Sequence, residues 1–344
     1  MRVATPTLRA VPLLHALRGE AALARASTEL TTGRLADPGL ALGAATGRLA
    51  ALDAAVADLT AARAANGVAR TGLDAMQASL AGMREAADTL TANLLTAATA
   101  GTDPARALVA ESAAGLLSSV VGHANVTVAG THLFGGERSG TAPVADPATD
   151  PIARATVHDA FVAAFGHPID DPATASIDAE AMGSFLRALE GNFETIWSVR
   201  WGGAPPAERL VRSEPGAVMR VPVTHHDPGL RELVLATLIA ERFADAPLGE
   251  AARDAALDRA AHLAGSAVAR LDEASGRLGV VAERLERSDR AMAAREAVVA
   301  QAWGGMVGVD PTEAAARVQA LATEVETSLA VTARVSRLSL LNYL

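Results

Sequence analysis

A chain of 344 residues with net charge −9, no cysteine and no lysine cannot form a disulfide, use a thiolate, anchor pyridoxal phosphate or supply a P-loop lysine. Its acidity argues against nucleic acid or an anionic membrane as the main partner. Half of its residues are hydrophobic yet only 3% are aromatic, and much of the hydrophobic share is alanine, so the composition predicts long, closely packed helices.

Residues 1–35 read as a helical arm. Val11, Leu14, Leu17, Ala21 and Ala24 share a face, and Leu30 follows. Pro6 and Pro12 are expected to keep the first dozen residues from forming one clean helix. The apolar run in Met1 to Leu14 is too short and broken for a cleaved signal peptide. Thr31-Thr32-Gly33-Arg34-Leu35-Ala36-Asp37-Pro38-Gly39 is a dense turn signal, and Gly43-x-x-Thr46-Gly47-Arg48 follows it.

Residues 36–136 read as the first half of a helical rod. A long helix begins at Leu49 and continues its stripe through Leu52, Val56 and Leu59. Leu73, Met76, Leu80, Met83, Ala87, Leu90 and Leu94 then alternate steps of three and four, a coiled-coil seam. Between them Ala62, Asn66, Gly67 and Gly72 thin or shift that seam. Gly101 and Pro104 break the helix, and a second runs from Ala105 to Gly122. Ser112 to Gly136 lacks Asp, Glu and Arg, but its Ser, Asn, His, Thr and Gly are rarely combined in a membrane span. No membrane insertion is expected. The stretch ends in His132-Leu133-Phe134-Gly135-Gly136.

Residues 137–246 concentrate the large aromatics Phe161, Phe165, Phe185, Phe193, Trp197 and Trp201. They read as a small α+β insert with its own core. Ile177 to Leu189 is a helix; Arg209–Arg212 and Ala217–Val223 alternate as short strands about the turn Glu214-Pro215-Gly216. Helix returns at Pro228 to Phe243.

Residues 247–305 carry the clearest periodicity. Leu257, Ala264, Leu271, Leu278, Leu285, Met292 and Val299 fall every seventh residue, with Ala260, Ala267, Ala274, Val281 and Ser288 three later. Such a helix spans roughly 65 Å at 1.5 Å per residue. Trp303-Gly304-Gly305 is expected to end it. The seams at 49–94 and 257–299 match in length, so the expected fold is mainly α: a long antiparallel helical bundle of N- and C-terminal segments with a small middle insert.

Residues 306–344 form the second arm. Asp310 is a good N-cap, Pro311 suits the first helical position, and Glu313 lies three after the cap. Val318, Leu321, Val325, Leu329, Thr332, Val335 and Leu338 line one face. An isolated helix of this length is marginal in water, so a partner face must cover it. That face belongs either to the same chain or to another subunit.

Sites of chemistry are sparse. His225-His226-Asp227 is the one compact cluster that suggests a metal, and three adjacent residues seldom converge on one ion; a surface loop is expected. Asp170-Asp171 and Asp178-x-Glu180 read as solvated carboxylates rather than an acid/base pair. Trp197 and Trp201, four apart, read as core rather than a ligand platform. No catalytic residue, cofactor or metal is assigned.

Thr32-Gly33-Arg34 followed by Asp37-Pro38, then Leu133-Phe134-Gly135-Gly136, then Asp310-Pro311-x-Glu313-Ala314 through Ser339-Leu340-Leu341-Asn342-Tyr343-Leu344, resemble the bacterial flagellin superfamily in this order. The closing residues look most like its hook-associated members. His132 stands where the family's tyrosine precedes Leu-Phe-Gly-Gly, and Asp37-Pro38 is shorter than the Asp-Asp-Pro run of common flagellins. The resemblance implies a flagellar structural subunit, not an enzyme, exported to the extracellular flagellum without a cleaved signal. It implies partners among the axial proteins (hook-associated protein 1 and flagellin), copies of itself, an export chaperone and the flagellar export apparatus. It makes Leu14, Leu17, Leu321, Val325, Leu329, Val335, Leu338 and Leu341 the candidate assembly interface. The alternatives are a short flagellin, a non-flagellar helical adaptor, or an enzyme seated around Trp197, Trp201 and His225.

Overall fold

The computed structural model describes the backbone of residues 5–214 and 217–341, and the side chains of 14–214 and 217–334. In chain order the elements are α1 (Thr5–Thr32), α2 (Pro38–Leu42), α3 (Thr46–Ala100), α4 (Asp103–Ala124), β1 (Thr127–Val128), β2 (Thr131–His132), α5 (Pro151–Arg154), α6 (Thr156–Phe165), α7 (Ala179–Arg200), β3 (Arg209–Glu214), β4 (Ala217–Val221), α8 (Pro228–Phe243), α9 (Glu250–Val307) and α10 (Pro311–Leu341). The fold is mainly α, and its described strands form two small antiparallel hairpins, β1–β2 and β3–β4. Contacts divide the chain into two compact units: Met1–Ala61 with Met292–Leu344, and Ala62–Ala291.

In the unit spanning Ala62–Ala291, the two seams meet. Leu73, Met76, Leu80, Met83, Ala87, Leu90 and Leu94 of α3 are buried, as are Leu257, Ala264, Leu271, Leu278 and Leu285 of α9. Each fully buried leucine contributes roughly 1.5–3 kcal/mol. Polar ties set the register: Arg63 Nε to Asp289 at 3.3 Å, Gln77 Nε2 to the Ser275 carbonyl at 2.9 Å, Arg84 Nε to Asp272 at 3.3 Å. Numbers rise on one helix as they fall on the other, so the pair is antiparallel. The companion positions Ala260, Ala267 and Ala274 have no exposure. α4 packs on α8, whose middle is buried on nearly every side from Leu233 to Ala240.

The thinned stretch of the α3 seam has a structural purpose. Asn66 is buried and its Nδ2 donates to the Ser213 carbonyl at 3.0 Å; Ser288 Oγ donates to the same oxygen at 2.8 Å. A Cβ on Gly72 would lie 3.2 Å from the Arg209 guanidinium. The β3–β4 hairpin therefore occupies the space that larger residues would fill. The hairpin pairs Arg209 with Val221 through Arg212 with Val218; Pro215 and Gly216 of the expected turn lie outside the described residues. The aromatic core is present as well. The rings of Phe161 and Phe185 are 5.7 Å apart, and Trp197 and Trp201 stack at 5.7 Å with planes 2° apart.

In the other unit, α1 packs on α10, and Thr60 Oγ1 of α3 meets Glu296 Oε1 of α9 at 3.3 Å. Two expectations are corrected here. α1 runs unbroken past Pro6 and Pro12. Pro6 falls in the first turn, where its missing N–H costs nothing, and Pro12 forfeits one hydrogen bond without ending the helix. α9 continues through Gly304 and Gly305 to Val307. Two helical glycines cost about 1 kcal/mol each, a cost comparable to what the buried Val307 beyond them returns.

Asp227 gives the fold a pH signature. It caps α8 through the Gly229 N–H at 3.1 Å and pairs with the Arg277 guanidinium. Burial holds its carboxyl above the ordinary 3.8, against the opposing pull of the Gly229 N–H and Arg277. The native state thus takes up a proton between 3.8 and that raised value, where the unfolded chain does not. Stability from this group is full below 3.8 and is lost as pH rises through the folded value. Asp227→Asn flattens this slope, measurable by urea unfolding across a pH series.

Candidate functional site

The terminal helices meet through their smallest residues. Ala16 and Ala26 of α1 and Ala314 and Val325 of α10 are buried. A Cβ on Gly19 would lie 3.0 Å from Val325 Cγ2, so glycine there sets the approach of the two helices. Glu29 accepts from Arg317 at 3.3 Å and from the Ala36 N–H at 3.2 Å. Val325 opposite Gly19 and Arg317 opposite Glu29 make the pair antiparallel.

This arrangement gives α1 two apolar faces. Ala16, Gly19, Leu23 and Ala26 turn toward α10. The face expected from the sequence, with Leu14, Leu17, Ala21 and Ala24, is open: Leu14 is 50% and Leu17 is 53% exposed. On α10, Val325 is buried against α1, Val318 and Leu321 are half-buried, and Leu329 and Val331 are exposed. Val335, Leu338 and Leu341 belong to α10, but their side chains lie outside the described residues, as do Asn342, Tyr343 and Leu344 entirely. Of the candidate interface residues, Leu14, Leu17 and Leu329 therefore present apolar surface to solvent, while Val325 and, in part, Leu321 serve the pair itself. The second α1 stripe was missed because alanine and glycine at positions 16, 19 and 26 carry little hydrophobic signal; their spacing of three and seven is present in the sequence.

A small joint links the pair to the neighbouring helices. Arg34 bridges Gly308, the Leu35 N–H donates to Val307 O at 2.8 Å, and the Val309 N–H donates to Gly33 O at 3.0 Å. Gly33 has φ +67°, which a side chain would strain. The Arg34 guanidinium lies 4.7 Å over the Trp303 ring. Asp310 caps α10 with N–H···O distances of 2.7 Å from Thr312 and 3.3 Å from Glu313, and these bonds hold its carboxyl below the ordinary 3.8. Asp37 caps α2 through the Leu40 N–H at 3.0 Å. The turn motifs of both arms thus converge on one joint.

The remaining candidates are structural ties. His225 is buried, contrary to the expected surface loop, because its Nδ1 and Nε2 reach the carbonyls of Phe134 and Gly202 at 3.0 and 2.9 Å. His226 is half-buried with Nε2 2.8 Å from the Gly203 carbonyl, and burial lowers its pKa. No group of three or more potential metal ligands occurs among the described residues. Asp171 and Asp178 cap the helical turns that follow them. Trp197 has no exposure, and Trp201 Nε1 donates to Thr156 Oγ1 at 3.0 Å. Leu133 and Phe134 are core residues, and a Cβ on Gly136 would strike the Ala207 carbonyl. Two helical stretches, Pro38–Ala100 and Asp103–Ala124, are long and apolar enough by length and composition to cross a membrane. In α4, however, Val109, Leu117, Val120 and Val121 are buried within the molecule.

Replacing Gly19 by leucine overpacks the helix contact, where inserted methylenes cost about 1–3 kcal/mol. Hydrogen exchange is expected to accelerate across α1 and α10 and to stay unchanged in α7 and α8.

The model of the bacterial flagellin N-terminal helical region matches residues 11–139, and that of the C-terminal helical region matches residues 262–344. Together they cover more than half of the chain. No curated protein matches. A solved structure described as a flagellar hook-associated protein from Vibrio parahaemolyticus is similar, with TM-score 0.53 and 14% identity, over 76% of this chain and 97% of that one. At that identity the likeness is one of fold.

Proposed function

We propose, from the premise that this chain belongs to the bacterial flagellin family, that it forms the junction between hook and filament, in the manner of hook-associated protein 3. As a family member it is a structural subunit of the flagellum, and its matched regions are helical building blocks rather than enzyme domains. The observation that carries the assembly reading is the apolar surface that the α1–α10 pair leaves open. Leu14 and Leu17 on one helix and Leu329 and Val331 on the other stay in water after the helices have paired. Surface of this kind is covered at low cost by the same surface on neighbouring subunits.

The junction role, rather than the bulk filament, is supported by the closing Ser339-Leu340-Leu341-Asn342-Tyr343-Leu344 and by the short Asp37-Pro38 turn. In this reading the arms, 1–35 and 306–344, carry assembly and the insert at 137–246 contributes surface. Its partners are hook-associated protein 1, flagellin and further copies. It reaches the extracellular flagellum through the flagellar export apparatus, escorted by a chaperone and without a cleaved signal. A short flagellin is the second reading, favoured by the family match alone.

Immunolabelling of isolated flagella separates the two: a band at the hook–filament boundary is expected, and label along the whole filament assigns the chain to the filament. Leu17→Asp with Leu329→Asp leaves both units folded by circular dichroism and abolishes incorporation. Normal incorporation of that variant overturns the assembly role of this face.

A further inference from the structure

The β3–β4 hairpin has one face in the core and one in solvent. Val211, Met219 and Val221 are buried. On the opposite face Leu210 and Val218 are 53% and 59% exposed, beside exposed Arg212 and Arg220. Register places Leu210 across from Arg220 and Arg212 across from Val218, so two guanidiniums and two aliphatic chains alternate as a checkerboard. Neither arginine has an acceptor among the described residues. In a chain of net charge −9 this is an unmatched basic, apolar patch.

Elsewhere in the same unit lies its complement. α3 and α9 border an open groove of about 520 Å³; Leu80 and Leu271 are buried at its base, and Gln77 hydrogen-bonds to Ser275 across it. Its rim holds Ala81, Glu85, Asp88 and the Arg84–Asp272 pair. Glu85 and Asp88 are exposed and have no partner among the described residues. Asp74 lies on the same exposed face of α3, eleven residues before Glu85, which is close to three helical turns. The groove thus offers exposed Ala78 and Ala81 beside an acidic rim, a charge complement to what the hairpin offers.

We propose that the solvent face of the β3–β4 hairpin docks in the α3–α9 groove of a second copy of this chain, with Arg212 and Arg220 meeting Glu85 and Asp88. This inference rests on the reading of the chain as an assembling subunit. The two surfaces differ, so the contact is heterologous: each copy offers a hairpin to one neighbour and a groove to another, and the contact propagates around a ring or along a helix. Charge complementarity fixes the register of such contacts, and like charges across them are strongly penalised.

The test uses the full chain in cells and isolated flagella. The chain has no cysteine, so Val218→Cys combined with Ala81→Cys reports only this contact. Oxidation is expected to give an intermolecular ladder on non-reducing gels that neither single substitution gives. Arg212→Glu with Arg220→Glu is expected to lower cross-linking about tenfold, and adding Glu85→Arg with Asp88→Arg to restore it. Incorporation without a ladder, or a ladder indifferent to charge reversal, overturns the inference and leaves the assembly reading intact; the arginines are then only guards of a strand edge. Absence of the unaltered chain from flagella overturns both.

Discussion

Helices of 55 and 58 residues cannot cover an apolar stripe with their own atoms, and the fold follows from that constraint. α3 and α9 meet this need by lying antiparallel, with leucine and methionine on one seam facing alanine and leucine on the other. Alanine at the companion positions lets the backbones approach, and long side chains at Gln77, Arg84 and Arg63 then fix the register from the edges. Where the seam lacks bulk, a hairpin enters. The Ser213 carbonyl draws one hydrogen bond from each long helix, so the insert is anchored to both halves of the chain at one atom.

The same rule applies to the terminal helices with a different outcome. α1 and α10 cover each other, but largely through Ala16, Gly19, Ala26, Ala314 and Val325, with Leu23 and Leu321 only partly covered. Such a contact buries little area per residue, and Leu14 and Leu17 stay outside it. On α1 close approach and a bare outer face have one cause: Ala16, Gly19 and Ala26 lie on the inward stripe, Leu14 and Leu17 on the outward one. The joint at Gly33–Leu35 and Val307–Val309 ties both arms to one bridge, so they are held as a pair rather than as separate tails.

The heptads at 257–299 and the α3 seam were legible because leucine and methionine recur at a fixed step. The breaks at Gly101 and Pro104 were legible for a local reason: Gly101 has φ +61°, and Pro104 opens the next helix. Gly304-Gly305 misled because glycine lowers helix stability without forbidding it, and a buried residue beyond it decides where the helix ends. His225 was opaque for another reason. Its acceptors are backbone carbonyls 23 and 91 residues away, which no side-chain pattern announces. Of the candidate interface, the leucines were legible by period. Which of the two α1 faces stays open was not, because that depends on where alanine permits contact.

Charge completes the picture. Without lysine, the permanently charged basic side chains here are all guanidiniums, planar and able to lie against apolar surface while holding a carboxylate. Arg317 ties the arms through Glu29, Arg277 ties α9 to the cap of α8, and Arg34 lies on Trp303. Arginines that pair within the chain hold the fold together. Arg212 and Arg220, set among exposed aliphatics with no carboxylate of their own, stand apart from that pattern. Exposed surface charge costs little to maintain, but a guanidinium pair alternating with leucine and valine gains most when a partner supplies both carboxylates and small apolar side chains. Glu85 and Asp88, with exposed Ala78 and Ala81 beside them, supply that combination in every copy.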